Sequence, residues 1–198
     1  MKGQKIPNRE RMVRVMERTT TRILEELAWL RALYSEPPDA TVLARFQEEA
    51  KSDAVWAALT RTVEGMKESA AAVMNAEWMR LFEGPGRIPV PLFGSFYLDA
   101  GLLMGPSTQT VSTLYGRYGL RPAATIPADH LAYELGFCGF LTGQAAPEAL
   151  QERAEFAERW MLSWLPFMAD ALHQATETPF FHEMAGCTMT IVRQLTEV

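Results

Sequence analysis

Cysteine is nearly absent from this 198-residue sequence. Cys138 and Cys187 stand alone, and no Cys-x-x-Cys pair occurs. That excludes a disulfide framework and a thiolate metal knuckle. The two thiols sit among apolar neighbours and are expected buried and reduced. Long hydrophobic runs are missing too. No stretch approaches the roughly 20 apolar residues that a bilayer span needs, and the charged N-terminus lacks the apolar core of a secretory leader. The expectation is a cytoplasmic chain without stable membrane insertion. Signatures of catalysis are equally scarce. No Gly-x-x-x-x-Gly-Lys-Ser/Thr, Gly-x-Ser-x-Gly or His-Glu-x-x-His occurs, and Gly84-Pro85-Gly86-Arg87 is a poor phosphate cradle. The three histidines, His130, His173 and His182, are scattered. His182-Glu183 alone gives no convergent ligand set, so neither a metal nor a cofactor is expected. Two-residue alternation is absent apart from a few residues around Ser95–Leu98, and there is no internal repeat or low-complexity tract.

What is present is helical. Hydrophobic residues make up 48% and charged residues 22%, an ordinary globular balance. Met12, Val15, Met16, Thr19, Ile23, Leu27, Leu30 and Tyr34 recur at helical spacing, predicting a helix over 9–34. Pro37-Pro38 stops it, and Asp39 is suited to cap the next. Helical pattern resumes through Val42, Leu43, Phe46, Val55, Leu59, Val63 and Met66, with Gly65 a candidate break, and then through Val73, Met74, Trp78, Leu81 and Phe82. A helix over about 108–118 is closed by Gly119. Pro127 is placed to open a helix running to Gly143, since its missing N–H costs nothing in a first turn. Pro147 opens another, through Trp160 and Trp164 with a kink near Pro166, and Pro179 opens the last. The reading is all-α: seven to nine helices around one core, in a single domain spanning 1–198.

Charge is uneven. Formal net charge is −5, yet residues 1–22 carry seven Lys/Arg against Glu10 and Glu17, a local +5. One reading is a DNA-binding regulator, but the basic residues fall in one long helix without the short turn and second helix that groove recognition needs. A solvated face explains them better, and no nucleic-acid partner is expected.

Two stretches are distinctive. From Ala76 to Asp99, an amphipathic helix breaks into Gly84-Pro85-Gly86 and Pro89-Val90-Pro91, then closes with Phe93, Phe96 and Tyr97. Proline and glycine impose a fixed irregular path there, suited to a receiving surface. From Ile126 to Phe137, Pro127 precedes Asp129, His130 and Glu134. A carboxylate in a first turn is favoured by the helix dipole, so Asp129 reads as a cap, as a catalytic group, or as part of a recognition site for a basic peptide. Neighbouring Asp and His on a helix do not face each other, so no dyad follows.

Taken together these stretches resemble the redox-enzyme maturation chaperones, the family of the trimethylamine oxide and dimethyl sulfoxide reductase chaperones and their nitrate reductase relatives. The resemblance rests on Trp78-x-x-Leu81-Phe82, Gly84-Pro85-Gly86, Pro89-x-Pro91 and Gly94-Ser95-x-Tyr97-Leu98-Asp99. It continues with Pro127-x-Asp129-His130, Glu134-Leu135-x-Phe137 and Pro179-Phe180-Phe181. Close relatives carry Pro-Pro-Trp-Gly-Ser where this chain has Pro91-Leu92-Phe93-Gly94-Ser95. The resemblance implies a non-enzyme that binds the twin-arginine signal peptide and body of a molybdopterin-containing oxidoreductase as monomer or homodimer. It holds that precursor for cofactor insertion before export. The implied peptide site comprises Trp78, Leu81, Phe82, Pro127, Asp129 and His130. Pro91, Phe93, Phe96 and Glu134 extend it on chemical grounds: paired guanidinium groups need carboxylates, and an apolar run needs a greasy groove.

Overall fold

Helical spacing becomes helix over most of the described residues, but Val55, read as part of a helical run, falls in a turn. The computed structural model describes residues 8–50, 53–64, 70–123, 125–144 and 146–197. Helix α1 runs Asn8–Ser35, α2 Ala40–Ala50, α3 Ala57–Glu64 and α4 Ala70–Trp78, the last continuing as a π turn over Met79–Glu83. Then come α5 Gly94–Leu98, α6 Pro106–Arg117 and α7 Leu131–Gln144. Helix α8, Pro147–Phe156, passes through a second π turn, Ala157–Met161, into α9, Leu162–Ala175, and α10 is Pro179–Gln194. Counting α8 to α9 as one rod, the all-α expectation holds among the described residues. Among the described residues no strand forms, only an isolated antiparallel bridge between Phe93 and His130. Gly65 and Met66 lie outside the described residues, as do the side chains of Met12, Val15 and Met16.

Start and stop signals act as their chemistry dictates. The Asp39 carboxylate accepts the Val42 N–H at 2.7 Å and caps α2. Pro106, Pro147 and Pro179 each occupy the first turn of a helix. Helix α6 ends in a Schellman turn: the Leu120 N–H donates to the Tyr115 carbonyl and the Gly119 N–H to that of Gly116. Gly119 has φ +71°, a conformation that favours glycine there. Pro166 lies inside α9 without ending it; the departure from α geometry falls upstream, in the turn at 157–161.

Helix α1 packs most extensively on α7, and α9 on α10. Leu27, Leu30 and Tyr34 of the expected α1 stripe are buried, joined by Trp29 and Leu33. They enter one contiguous core with Trp56, Trp78, Trp164, Phe180 and Phe181. The Tyr34 hydroxyl meets that of Thr188 at 2.9 Å, so even the core's polar atoms lock α1 to α10. Both cysteines are free and buried.

Candidate functional site

The two distinctive stretches meet. After the π turn, the chain loops out through Gly84–Pro89 and returns, the Val90 N–H donating to the Leu81 carbonyl at 3.0 Å. Val90 and Leu92 then enter the core. Next the chain lies against the segment before α7. The Gly94 N–H donates to the Asp129 carbonyl at 3.0 Å, and the Leu131 N–H to the Leu92 carbonyl at 2.8 Å. The Asp129 carboxylate accepts the Ser95 N–H through Oδ2 at 2.7 Å. These three hydrogen bonds form a clasp across 34 residues of sequence.

Each motif residue in the clasp has a structural task. Gly94 is there because a Cβ would sit 3.1 Å from Trp164 Nε1 and 3.4 Å from Glu134 Oε1. Tyr97 stacks on Trp164 at 5.6 Å and donates its hydroxyl to the Pro91 carbonyl. Asp99 caps α6, accepting the Ser107 N–H at 3.0 Å and the Ser107 hydroxyl at 2.8 Å. Pro127 does not open α7, contrary to the sequence expectation. Residues 127–130 form a turn in which the His130 N–H reaches the Pro127 carbonyl, and the helix begins at Leu131. Asp129 therefore precedes the first turn. His130 is the cap: its Nδ1 accepts the Ala132 N–H at 3.1 Å, which leaves the proton on Nε2. Burial lowers the His130 pKa to about 4, against the opposing pull of Asp129.

Below the clasp lies a buried carboxylate. Glu134 is wholly inaccessible. Its Oε1 accepts the Trp160 indole N–H at 2.7 Å and its Oε2 that of Trp164 at 3.2 Å. Burial pushes the Glu134 carboxyl well above the usual range; Asp129 adds to the shift and the two indoles oppose it. Asp129 Oδ1, the Ser95 hydroxyl and the Tyr115 hydroxyl are also buried and have no hydrogen-bond partner among the described residues.

The surface expected from sequence is thus corrected. Trp78, Leu81 and Phe82 are core, 1%, 0% and 4% exposed, and Pro91 is buried as well. Trp78 faces inward because its indole N–H donates to the Leu33 carbonyl at 2.9 Å. Asp129 is not an exposed acid, because the clasp encloses it. Phe93, Phe96, Pro127 and His130 remain partly exposed, with the Phe93 ring edge-on to His130 at 5.0 Å. From the last residue of α5 onward the chain presents Leu98, Leu102, Leu103 and Met104 to solvent, and Ala100 and Met104 adopt positive φ of 55° and 60°. The histidines are less scattered than expected: the exposed rings of His173 and His182 lie with their centroids 4.3 Å apart, tilted by 33°. Among the described residues no group of three or more His, Cys, Asp or Glu side chains is placed to hold a metal. Nor is any helix long and apolar enough to cross a membrane. Of the basic N-terminal residues, Arg22 is drawn into a pair with Glu26 and Asp53.

The family model described as nitrate reductase delta subunit matches residues 47–170, well over half of the chain and the whole of both motifs. The chain belongs to that family. Curated relatives named chaperone protein TorD include one from Vibrio cholerae, 27% identical over 138 residues, covering 65% of this chain and 63% of that protein. Another, from Photobacterium profundum, is 29% identical over 126 residues, 58% of each. The chain thus spans somewhat under two thirds of these relatives' length. A crystal structure from Archaeoglobus fulgidus, described as a redox enzyme maturation protein, aligns over 87% of this chain and 89% of its own, with TM-score 0.55 and 22% identity. At that identity it shows the fold. The all-helical TorD-like architecture read from the sequence is therefore the architecture found. The two indoles gripping Glu134 were the residues that sequence reasoning missed. Trp160 and Trp164, four apart and within the family match, read there only as helix markers.

Proposed function

We propose that this nitrate reductase delta subunit family member is a cytoplasmic maturation chaperone rather than an enzyme. It binds the twin-arginine signal peptide and body of a molybdopterin-containing oxidoreductase subunit and holds it for cofactor insertion before export. Family membership and relatives named chaperones support the reading. The observation that carries it is the clasp. Two stretches distant in sequence converge there, leaving Phe93, Phe96, Pro127 and His130 as a partly exposed rim beside an apolar loop. In this reading the rim and loop take the apolar run of the signal. The paired guanidinium groups reach Asp129 and Glu134 only when the clasp loosens. Three hydrogen bonds close it, and each contributes on the order of 1 kcal/mol net.

The test is calorimetric titration with a peptide bearing paired arginines followed by an apolar run. Binding is expected. Phe93→Ala with Phe96→Ala should weaken it by roughly tenfold or more without lowering the melting temperature appreciably, since both rings are already partly solvated. No heat with the peptide, and no complex with any such precursor, would overturn the reading.

A further inference from the structure

A recess lies along α7, bordered toward the clasp by Tyr133, whose ring stands edge-on to His130 at 6.2 Å. It is a cavity of about 360 Å³, at the small end of the range for ligand pockets of about 300–1,000 Å³. Tyr115, Tyr133, Phe137 and Phe140 supply aromatic walls. The rings are braced: Tyr115 packs on Phe137 at 4.8 Å, and Tyr118 edges onto both Phe137 and Phe140. The polar content is one-sided. Arg31, from α1, and Arg121, just past the Schellman turn of α6, both line the cavity, and no carboxylate does. Both arginines are exposed, and neither has a carboxylate partner among the described residues.

Backbone geometry puts the two charges there. Gly119 in its left-handed conformation reverses the chain, so that Leu120, Arg121 and Pro122 fold back over Tyr115. On the other side, Arg31 lies across α7 at Gly136, close enough that a Cβ there would meet its Nε and Cζ in ordinary contact at 3.7 and 3.9 Å. A guanidinium without a partner is a planar fork of donors suited to carboxylate or phosphate, and aromatic walls accept a flat apolar body.

We propose that this cavity is a binding site for a small organic anion, a flat apolar body carrying one carboxylate or phosphate, held by Arg31 and Arg121 and sandwiched by the aromatic walls. The site is independent of the peptide-binding reading.

The test uses four naphthalene probes on the full chain, followed by ligand-observed NMR and calorimetry: 2-naphthoate, 2-naphthyl phosphate, 2-naphthalenemethanol and 2-naphthylmethylammonium. At least one anion should bind about ten-fold or more tighter than the neutral and cationic probes. Which anion is preferred tells carboxylate from phosphate. Arg31→Gln with Arg121→Gln should remove that preference while leaving the weak binding of the neutral probe. Both side chains are exposed, so the variant's melting curve should match the parent's. Gly136→Leu, which fills the cavity from α7, should abolish binding of all four; Phe140→Ala, opening the wall instead, serves where that variant melts early and should weaken them all. The proposal is overturned if no probe binds, if the ammonium or alcohol binds as well as the anions, or if the double arginine variant retains the anion preference.

Discussion

Removing the Asp129 carboxylate should destabilise the protein, and removing the hydroxyl next to it should not. Asp129 is fully buried, and Oδ2 accepts the N–H of Ser95, itself fully buried. The hydrogen bond contributes on the order of 1 kcal/mol net, and truncating one partner strands the other, buried and unsatisfied, at a further cost of about 1–3 kcal/mol. Asp129→Ala leaves the Ser95 N–H without an acceptor. Against that loss stands a gain, since Oδ1 has no partner and its burial carries a penalty that the variant removes. The balance is about 2–3 kcal/mol of destabilisation. For a chain of this size that lowers the melting temperature by about 5–10 °C. Ser95→Ala is the matched control. It keeps the backbone N–H and deletes a hydroxyl that bonds to nothing among the described residues, so it should change stability by less than about 0.5 kcal/mol. Thermal and urea unfolding followed by circular dichroism measures both. If the two variants melt together, or if Asp129→Ala melts at the parent's temperature, the clasp is not what encloses the interior.

Three further outcomes follow from the same geometry. Gly94→Ala puts a methyl 3.1 Å from the Trp164 indole nitrogen; it should displace that ring from Glu134, cost about 1–3 kcal/mol, and shift tryptophan emission. Trp78→Phe removes the donor to the Leu33 carbonyl and leaves a small void, expected to cost about 2 kcal/mol in urea unfolding with an unchanged m-value. His130, held neutral down to about 4 in the folded chain against about 6.5 unfolded, makes the unfolded state the better proton acceptor between those values. Stability should therefore fall as pH drops from 6.5 toward 4, at up to about 1.4 kcal/mol per pH unit from this group. Glu134 has the opposite sign, since its raised carboxyl keeps a proton in the fold that the unfolded chain releases, favouring lower pH. His130→Gln should flatten the acidic decline, and an unchanged profile would contradict the assignment.

Much of this was legible in the residues. Apolar spacing located α1, and Asp39 and Gly119 marked their caps because those signals are local and chemical. The family was legible for the same reason: Gly94, Tyr97, Asp99 and His130 each satisfy a demand that few other residues meet. What stayed hidden was direction. A sequence names Trp78, Leu81 and Phe82 as large and apolar on one helical face, but a recognition groove and a core impose the same pattern. Only the Trp78 bond to the Leu33 carbonyl, 45 residues away, decides for the core. Pro127 misled for a related reason: its fixed φ suits a first helical turn and a tight pre-helical turn alike. The pairing of Glu134 with two indoles 26 and 30 residues downstream is purely tertiary.

The loop from Leu98 to Met104 has an evolutionary consequence. Leu102, Leu103 and Met104 take no part in the core, so lineages are free to exchange them without renegotiating the fold's survival. Exchanges at those three positions would alter the outward face of the rim while Gly94, Asp99 and Asp129, which hold the clasp and the start of α6 together, stay as they are.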